Sequence, residues 1–219
     1  MKIRKALKIT IDILMYGLYV WLMGYRIIRG LDLHGILGIV LLVLFIAHHV
    51  LNISWWKVIF KGKYSSRRIG MLVTDLLLLL AMAGLAVSSM LHLCQVFATP
   101  WYIPMTQFSR DLHLISGAWG FVVMSVHVGF HTLGVQKKLI RKAYKPLWKV
   151  VFSALYILVF AFGIYSFYRS GLWSDMFLLM AEKQSYINQA DFFTGYLFVT
   201  IAICQTVGII HALLNCKKS

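Results

Sequence analysis

Six stretches of about 20 apolar residues divide this chain, near 8–28, 32–54, 69–92, 111–134, 149–168 and 191–213. An α-helix rises about 1.5 Å per residue, so each stretch is long enough to cross the roughly 30 Å hydrocarbon core of a bilayer. Lipid offers no hydrogen bonds, so a crossing segment must satisfy its own backbone, which leaves helices and closed barrels. These stretches are continuously apolar and lack the alternation of barrel strands. The expected fold is therefore all-α: an integral membrane protein built as a six-transmembrane-helix bundle. Composition agrees, because 60% of the 219 residues are hydrophobic and only 13% are charged, against about 45–50% and 25% in soluble domains. Little chain remains for anything else, and residues 1–219 are expected to form a single transmembrane domain. The first stretch follows "MKIRK" in the manner of a signal peptide. Its apolar run is too long and no small-residue cleavage site follows, so a retained span is expected.

The net charge of +15 would suit a nucleic-acid partner, but its distribution excludes one. Positive residues fall in bands between the apolar runs. Seventeen of the 22 Lys and Arg lie in the N-terminus, the 55–68 and 135–149 loops and the C-terminal tail. Arg26, Arg29, Arg110, Arg169 and Lys183 are left for the opposite side. The lysine-rich side of a membrane protein is cytoplasmic, so both termini are expected inside, in a multi-pass protein of a bacterial cytoplasmic membrane. The basic loops are topology signals with some attraction to anionic lipid. Cys94, Cys204 and Cys216 show no paired spacing, and C-x-x-C-H is absent, so covalent c-type haem attachment has no motif here.

The chain also repeats itself. "LDLHGILG" at 31–38 resembles "RDLHLISG" at 110–117, and an offset of 79 residues superposes Asp32 on Asp111, His34 on His113, Gly38 on Gly117 and His48 on His127. The same offset brings Gly84 onto Gly163. Two tandem two-helix units, 32–92 and 111–168, are expected, flanked by the first and last spans. Both units would run in the same sense, making the second and fourth spans parallel. Within each, the histidines stand 14 residues apart. On a helix that spacing returns to within about 40° of the starting face and about 21 Å along the axis. Each helix thus offers two imidazoles on one face at two membrane depths.

Ionisable side chains in lipid are costly and are kept for function. Paired imidazoles on facing helices suit the two axial positions of a haem iron. Gly38 and Gly117 lie one turn beyond His34 and His113 and leave room for a porphyrin plane. Small residues that let two helices touch are the competing explanation of the same glycines.

The pattern H-x13-H on two parallel helices, with glycine four residues after the first histidine, resembles the di-haem cytochrome b superfamily. "HGILGIVLLVLFIAHHVLNISWWKVIFKGK" at 34–63 is similar to small bacterial membrane proteins of an uncharacterised-domain family in that group. The resemblance covers roughly 30–168. It implies a helical bundle holding two non-covalent b haems stacked across the membrane, with His34, His48, His113 and His127 as axial ligands of iron. It does not supply an electron donor or acceptor.

Other residues have more than one use. His49 adjoins His48 and can replace it as a ligand, although the repeat selects His48. His131, one turn past His127, suits a haem propionate, a quinone head group or a solvated interface. His92 and His211 resemble interfacial residues at span ends, and a third cofactor there stays open. Arg110 and Arg29 stand near His113 and His34, where propionates need cations; exposed arginines are the alternative. Asp32 and Asp111 read first as helix N-caps. Asp12 and Asp75 lie within apolar spans and suit proton transfer to a quinone or simple solvation near the interface. "TPWYIP" at 99–104 reads as an aromatic interfacial loop, and the 169–190 segment, with "GLWSDMFLLM", as a short amphipathic helix along the outer surface.

The leading expectation is transmembrane electron transfer through two bis-histidine b haems. Electrons would pass from membrane quinol to an extracytoplasmic acceptor such as a flavoprotein or reductase, or the chain would serve as the membrane subunit of an oxidoreductase. Two other classes use the same histidines: transport of a transition metal, and haem handling without electron flow. Scarce intramembrane carboxylates and the lack of H-E-x-x-H argue against the metal transporter. With no strand to carry G-x-G-x-x-G, dinucleotide binding by a Rossmann fold is excluded.

Overall fold

A computed structural model describes residues 2–24, 31–96, 106–142, 146–179, 186 and 188–216. All regular structure among them is helical: α1 (Lys2–Met23), α2 (Leu31–Leu51), α3 (Ile53–Val58), α4 (Ser66–Val96), α5 (Gln107–Lys142), α6 (Pro146–Arg169), α7 (Leu172–Phe177) and α8 (Gln189–Cys216). Six of these carry segments long and apolar enough to cross a membrane: Arg4–Met23, Leu33–Leu51, Ser66–Leu91, Gln107–Lys138, Val150–Arg169 and Gln189–Leu214. The protein is a multi-pass membrane protein.

Burial is distributed as lipid requires. Val43, Leu80, Ile157 and Leu158 point outward, whereas Ser88, Ser116, Ser125, Ser166 and Thr200 are buried. Lipid tails solvate large apolar side chains as well as a protein core does, so small residues that let backbones approach occupy the interior.

Two elements differ from the sequence expectation in extent. The first helix begins at Lys2, ahead of the expected 8, because Lys and Leu are good helix formers and carry the helix beyond the apolar run; residues 25–28 of the expected span lie outside the described residues. The fourth span lies within a helix of 36 residues that continues through Gln136, Lys137 and Lys138. No proline interrupts it before Pro146. The loop expected at 55–68 contains the short helix α3, with Trp55 and Trp56 edge to face at 5.0 Å.

The described chain forms two compact units. The first comprises 1–63 and 80–117, the second 64–79 and 118–219. In the first unit α1 runs antiparallel to α2. Arg4, Lys8 and Asp12, spaced four apart and so on one face of α1, meet the Leu51 carbonyl at 3.4 Å, Asn52 Oδ1 at 2.7 Å and His48 Nδ1 at 2.7 Å. Seven residues on, the buried Tyr19 hydroxyl donates to the Gly117 carbonyl at 3.0 Å and ties α1 to α5. The C-terminal half of α4 crosses α5 at Gly84, where any Cβ would collide with the Ser116 side chain.

In the second unit, Gly70 of α4 lies under the Phe130 ring, and Gly129 of α5 faces Val207 of α8. Gly163 brings α6 against α8 so closely that a Cβ there would lie 2.5 Å from Ala202 Cβ and from the Phe198 carbonyl oxygen. Tyr156 and Gln205 exchange hydrogen bonds with each other's backbone carbonyls. Arg169 closes the end of this pair on Asp191, with Nη1 donating to Oδ1 at 2.9 Å and Nη2 to Oδ2. The short helix at Leu172–Phe177 starts at Gly171 and ends at Leu178, both with positive φ. A short helix thus forms within the stretch where one was expected, with one side buried and Phe177 exposed. Leu172, Ser174 and Met176 are buried, and Trp119 of α5 donates to the Met176 carbonyl at 3.0 Å.

Candidate functional site

The sequence places a histidine at each end of the membrane-spanning parts of α2 and α5, and the structure gives these four side chains distinct surroundings. His34 and His113, three residues beyond Leu31 and six beyond Gln107 in their helices, meet in the first unit. Their ring centres are 6.0 Å apart and their planes inclined at 59°. A metal-bound imidazole nitrogen lies about 2 Å from its metal, so two imidazoles on opposite sides of one metal have ring centres about 6 Å apart. The observed 6.0 Å is close to that separation.

The orientation of His113 is held from α4. Ser88 Oγ lies 3.0 Å from the Leu85 carbonyl, to which it donates, and 3.1 Å from His113 Nδ1. With its own proton committed to Leu85, the hydroxyl accepts from Nδ1–H, and Nε2 is left as the nitrogen that can ligate. Beneath the pair, the two glycines do not make tight helix contacts. A Cβ at Gly38 would meet nothing within 4 Å, and one at Gly117 only Leu85 and Met23 at 3.9 Å. Close helix crossings occupy Gly84, Gly129 and Gly163 instead. A side-chain atom added at Gly38 would thus enter open space beside His34 and His113, and two imidazoles are the donor set that an axially ligated haem would use.

His48 stays in the first unit and His127 falls in the second. Each meets a carboxylate from another helix. Asp12 Oδ1 of α1 lies 2.7 Å from His48 Nδ1, and Asp75 Oδ1 of α4 lies 2.8 Å from His127 Nδ1. A carboxylate can only accept, so Nδ1 carries the proton in both rings. A histidine that donates one nitrogen to a carboxylate and offers the other to a metal is the usual arrangement around protein-bound metals. The sequence identified Asp12 and Asp75 as intramembrane acids but not their partners. The four-residue stripe Arg4, Lys8, Asp12 was the available signal for α1; for Ser88 there was none.

His49 is accounted for differently. Its Nδ1 donates to the Phe45 carbonyl of its own helix at 3.0 Å, and its ring packs on Phe45 and Trp56 at 4.3 and 5.9 Å. His131 is exposed and lies 4.6 Å from the His127 ring. His211 belongs to the second unit, near the C-terminal end of α8. Arg110 is exposed on α5, one turn before His113. Arg29 and the 99–104 loop lie outside the described residues, as do the side chains of His92 and Asp32. Asp111 is not an N-cap: the helix starts at Gln107, Thr106 Oγ1 accepts from the Ser109 amide at 3.1 Å, and Asp111 accepts from Gln107 Nε2 at 2.7 Å in the next turn. Thr106 takes the cap because its hydroxyl stands three residues before an unsatisfied amide, where a cap must be.

Among the described residues, no three His, Cys, Asp or Glu side chains gather as a metal-binding group. No protein-family profile, curated protein or solved structure matches the chain.

Proposed function

We propose that this chain is a transmembrane b-type cytochrome that passes single electrons across a bacterial cytoplasmic membrane, from membrane quinol to an acceptor on the opposite face. The observation that carries this reading is the His34–His113 pair, with ring centres 6.0 Å apart beside open space at Gly38. Non-covalent haem b, when bound, supplies the one-electron redox chemistry, and the protein supplies ligands, position and dielectric. His34 and His113 hold one haem. His48 and His127 are the sequence's candidate ligands of a second haem, by their 79-residue register with the first pair. Arg110 is placed for a propionate, and His131, exposed beside His127, for a propionate or a quinone head group.

Among the described residues no group of three His, Cys, Asp or Glu side chains gathers; a bare transition ion commonly takes three or four protein ligands, and haem needs two. The positive-inside bias favours both termini in the cytoplasm, which would put His34 and His113 toward the outer face. The tandem units 32–92 and 111–168 explain why the two levels share one spacing. One quinol gives up two electrons and two protons, and two equivalents of a one-electron acceptor are reduced. An extracytoplasmic flavoprotein or reductase suits that acceptor role.

The test is reconstitution into vesicles. Menaquinol in the membrane should reduce an impermeant acceptor confined to the side of His34, and chains lacking a histidine of either pair should not support it. Equal reduction with and without the histidines would overturn the function.

A further inference from the structure

Three helices of the second unit each bring a basic side chain to one end. Arg67 lies in the first turn of α4, where its Nη2 donates to the Phe130 carbonyl of α5 at 3.3 Å. Lys137 follows Phe130 by two turns of α5, within about 20° of the same face. The end of α8 is held to the same stretch. Gln136 Nε2 donates to the Cys204 carbonyl at 3.1 Å, and a Cβ at Gly208 would collide with the Gln136 side chain. His211 comes about one turn after Gly208, and the charges of Arg67 and Lys137 both reach it. The described acids of this unit are placed elsewhere. Asp191 opens α8, about 30 Å along the helix from His211. Asp175 lies in α7, which Trp119 ties to α5 about 27 Å from Lys137. Asp75 is two turns further into α4, against His127.

We infer that Arg67, Lys137 and His211 form a binding site for the phosphate head group of an anionic membrane lipid. Like charges at one level repel, and a phosphate relieves that repulsion. The guanidinium offers a planar fork that matches phosphate oxygens, the ammonium a point charge, and the imidazole a ring N–H. The site lies at the ends of three candidate spans, the level of lipid head groups. Beside it Ile69 and Val73 of α4 and Ile210 and Leu214 of α8 point outward, as acyl chains require and a soluble anion does not. Basic clusters between spanning helices are suited to such head groups. A site of this kind is more than the diffuse attraction of a basic loop, because it distinguishes Arg67 from its neighbour. The Arg68 guanidinium lies 4.5 Å over the Tyr64 ring instead. The inference is independent of the cytochrome reading.

The experiment is native mass spectrometry of the full chain in detergent, titrated with dioleoyl phosphatidylglycerol and, separately, with dioleoyl phosphatidylcholine. The wild type should retain phosphatidylglycerol in preference to phosphatidylcholine. Arg67→Gln and Lys137→Gln should each weaken that retention about tenfold, as the loss of one charge-assisted hydrogen bond does, and His211→Phe should weaken it by less. Arg68→Gln and Lys138→Gln remove the same charge one residue away. They should leave the affinity within about twofold, since exposed charges off the site are worth little. Lys137 is exposed, so Lys137→Gln carries the test if Arg67→Gln does not fold. Equal weakening by the neighbouring variants would reduce the effect to diffuse attraction and overturn the site. Equal retention of phosphatidylcholine would overturn the head-group specificity. Displacement of the lipid by inorganic phosphate at the same concentration would make the occupant a soluble anion and overturn the lipid assignment.

Discussion

Replacing Gly38 with leucine separates the fold from the proposed haem. The backbone at Gly38 is helical, and glycine there costs about 0.8–1.0 kcal/mol relative to alanine. A Cβ would meet nothing within 4 Å, so the first atom of a side chain enters open space while helix propensity rises. Gly38→Leu is therefore expected to fold and insert at least as well as the native chain. The same side chain would project into the space beside His34 and displace a macrocycle, so the haem of His34 and His113 should be lost while the other remains. Gly163→Ala is the matched control. Its Cβ would lie 2.5 Å from Ala202 and from the Phe198 carbonyl oxygen, neither of which can rotate away. Overpacking of this kind costs about 1–3 kcal/mol, enough to cancel or exceed the propensity gain. Thermal stability in detergent, read by fluorescence-detected size exclusion, should fall for Gly163→Ala and hold for Gly38→Leu. Haem content per chain should do the reverse. A Gly38→Leu protein with its full haem complement and native spectrum would show that the gap at Gly38 holds no cofactor. A Gly38→Leu protein as unstable as Gly163→Ala would show that the gap is not there.

His34→Ala and His113→Ala should remove the same haem, whereas His49→Ala should spare it. Haem content with redox titration distinguishes these outcomes, and loss of different haems from His34→Ala and His113→Ala would refute the pairing. Arg169→Ala should destabilise the α6–α8 pair by about 1.5–3 kcal/mol, the usual range for hydrogen bonds to a charged group, measured by thermal unfolding in detergent with Arg169→Lys as a partial rescue. Burial pushes the Tyr186 hydroxyl up to about 12. The folded chain then keeps a proton that the unfolded chain gives up near its ordinary value of about 10. Stability should be full below about pH 10 and fall as pH climbs toward 12, and Tyr186→Phe should flatten that decline in alkaline melts.

The six spans were legible because hydrocarbon imposes one rule, length times hydrophobicity, that a single sequence displays. His34 and His113 were legible because the repeat marked them twice, and the 14-residue spacing put each on the face of its later partner. What the sequence concealed is what depends on another helix. Asp12 and Asp75 are visible as misplaced charges, but nothing local says that they end on His48 and His127. Ser88 resembles any small residue of a membrane helix until His113 is beside it. The glycines illustrate the same limit. Gly38, Gly84, Gly117 and Gly163 look equivalent in the alignment of the repeat, yet the second and fourth are crushed against neighbours and the first and third are not. Asp111 misled because an acid near a helix start is a common cap, and the true start at Gln107 was set by Thr106, four residues outside the apolar run.

Haem stoichiometry tests the central claim most directly. Protein purified from cells with ample haem should carry two haems per chain, released into acidified acetone because no thioether bond holds them, with two low-spin b-type components that respond to reductant. A ratio that settles at one would contradict the two-level assignment, and a chain with no Soret absorption would contradict the function itself.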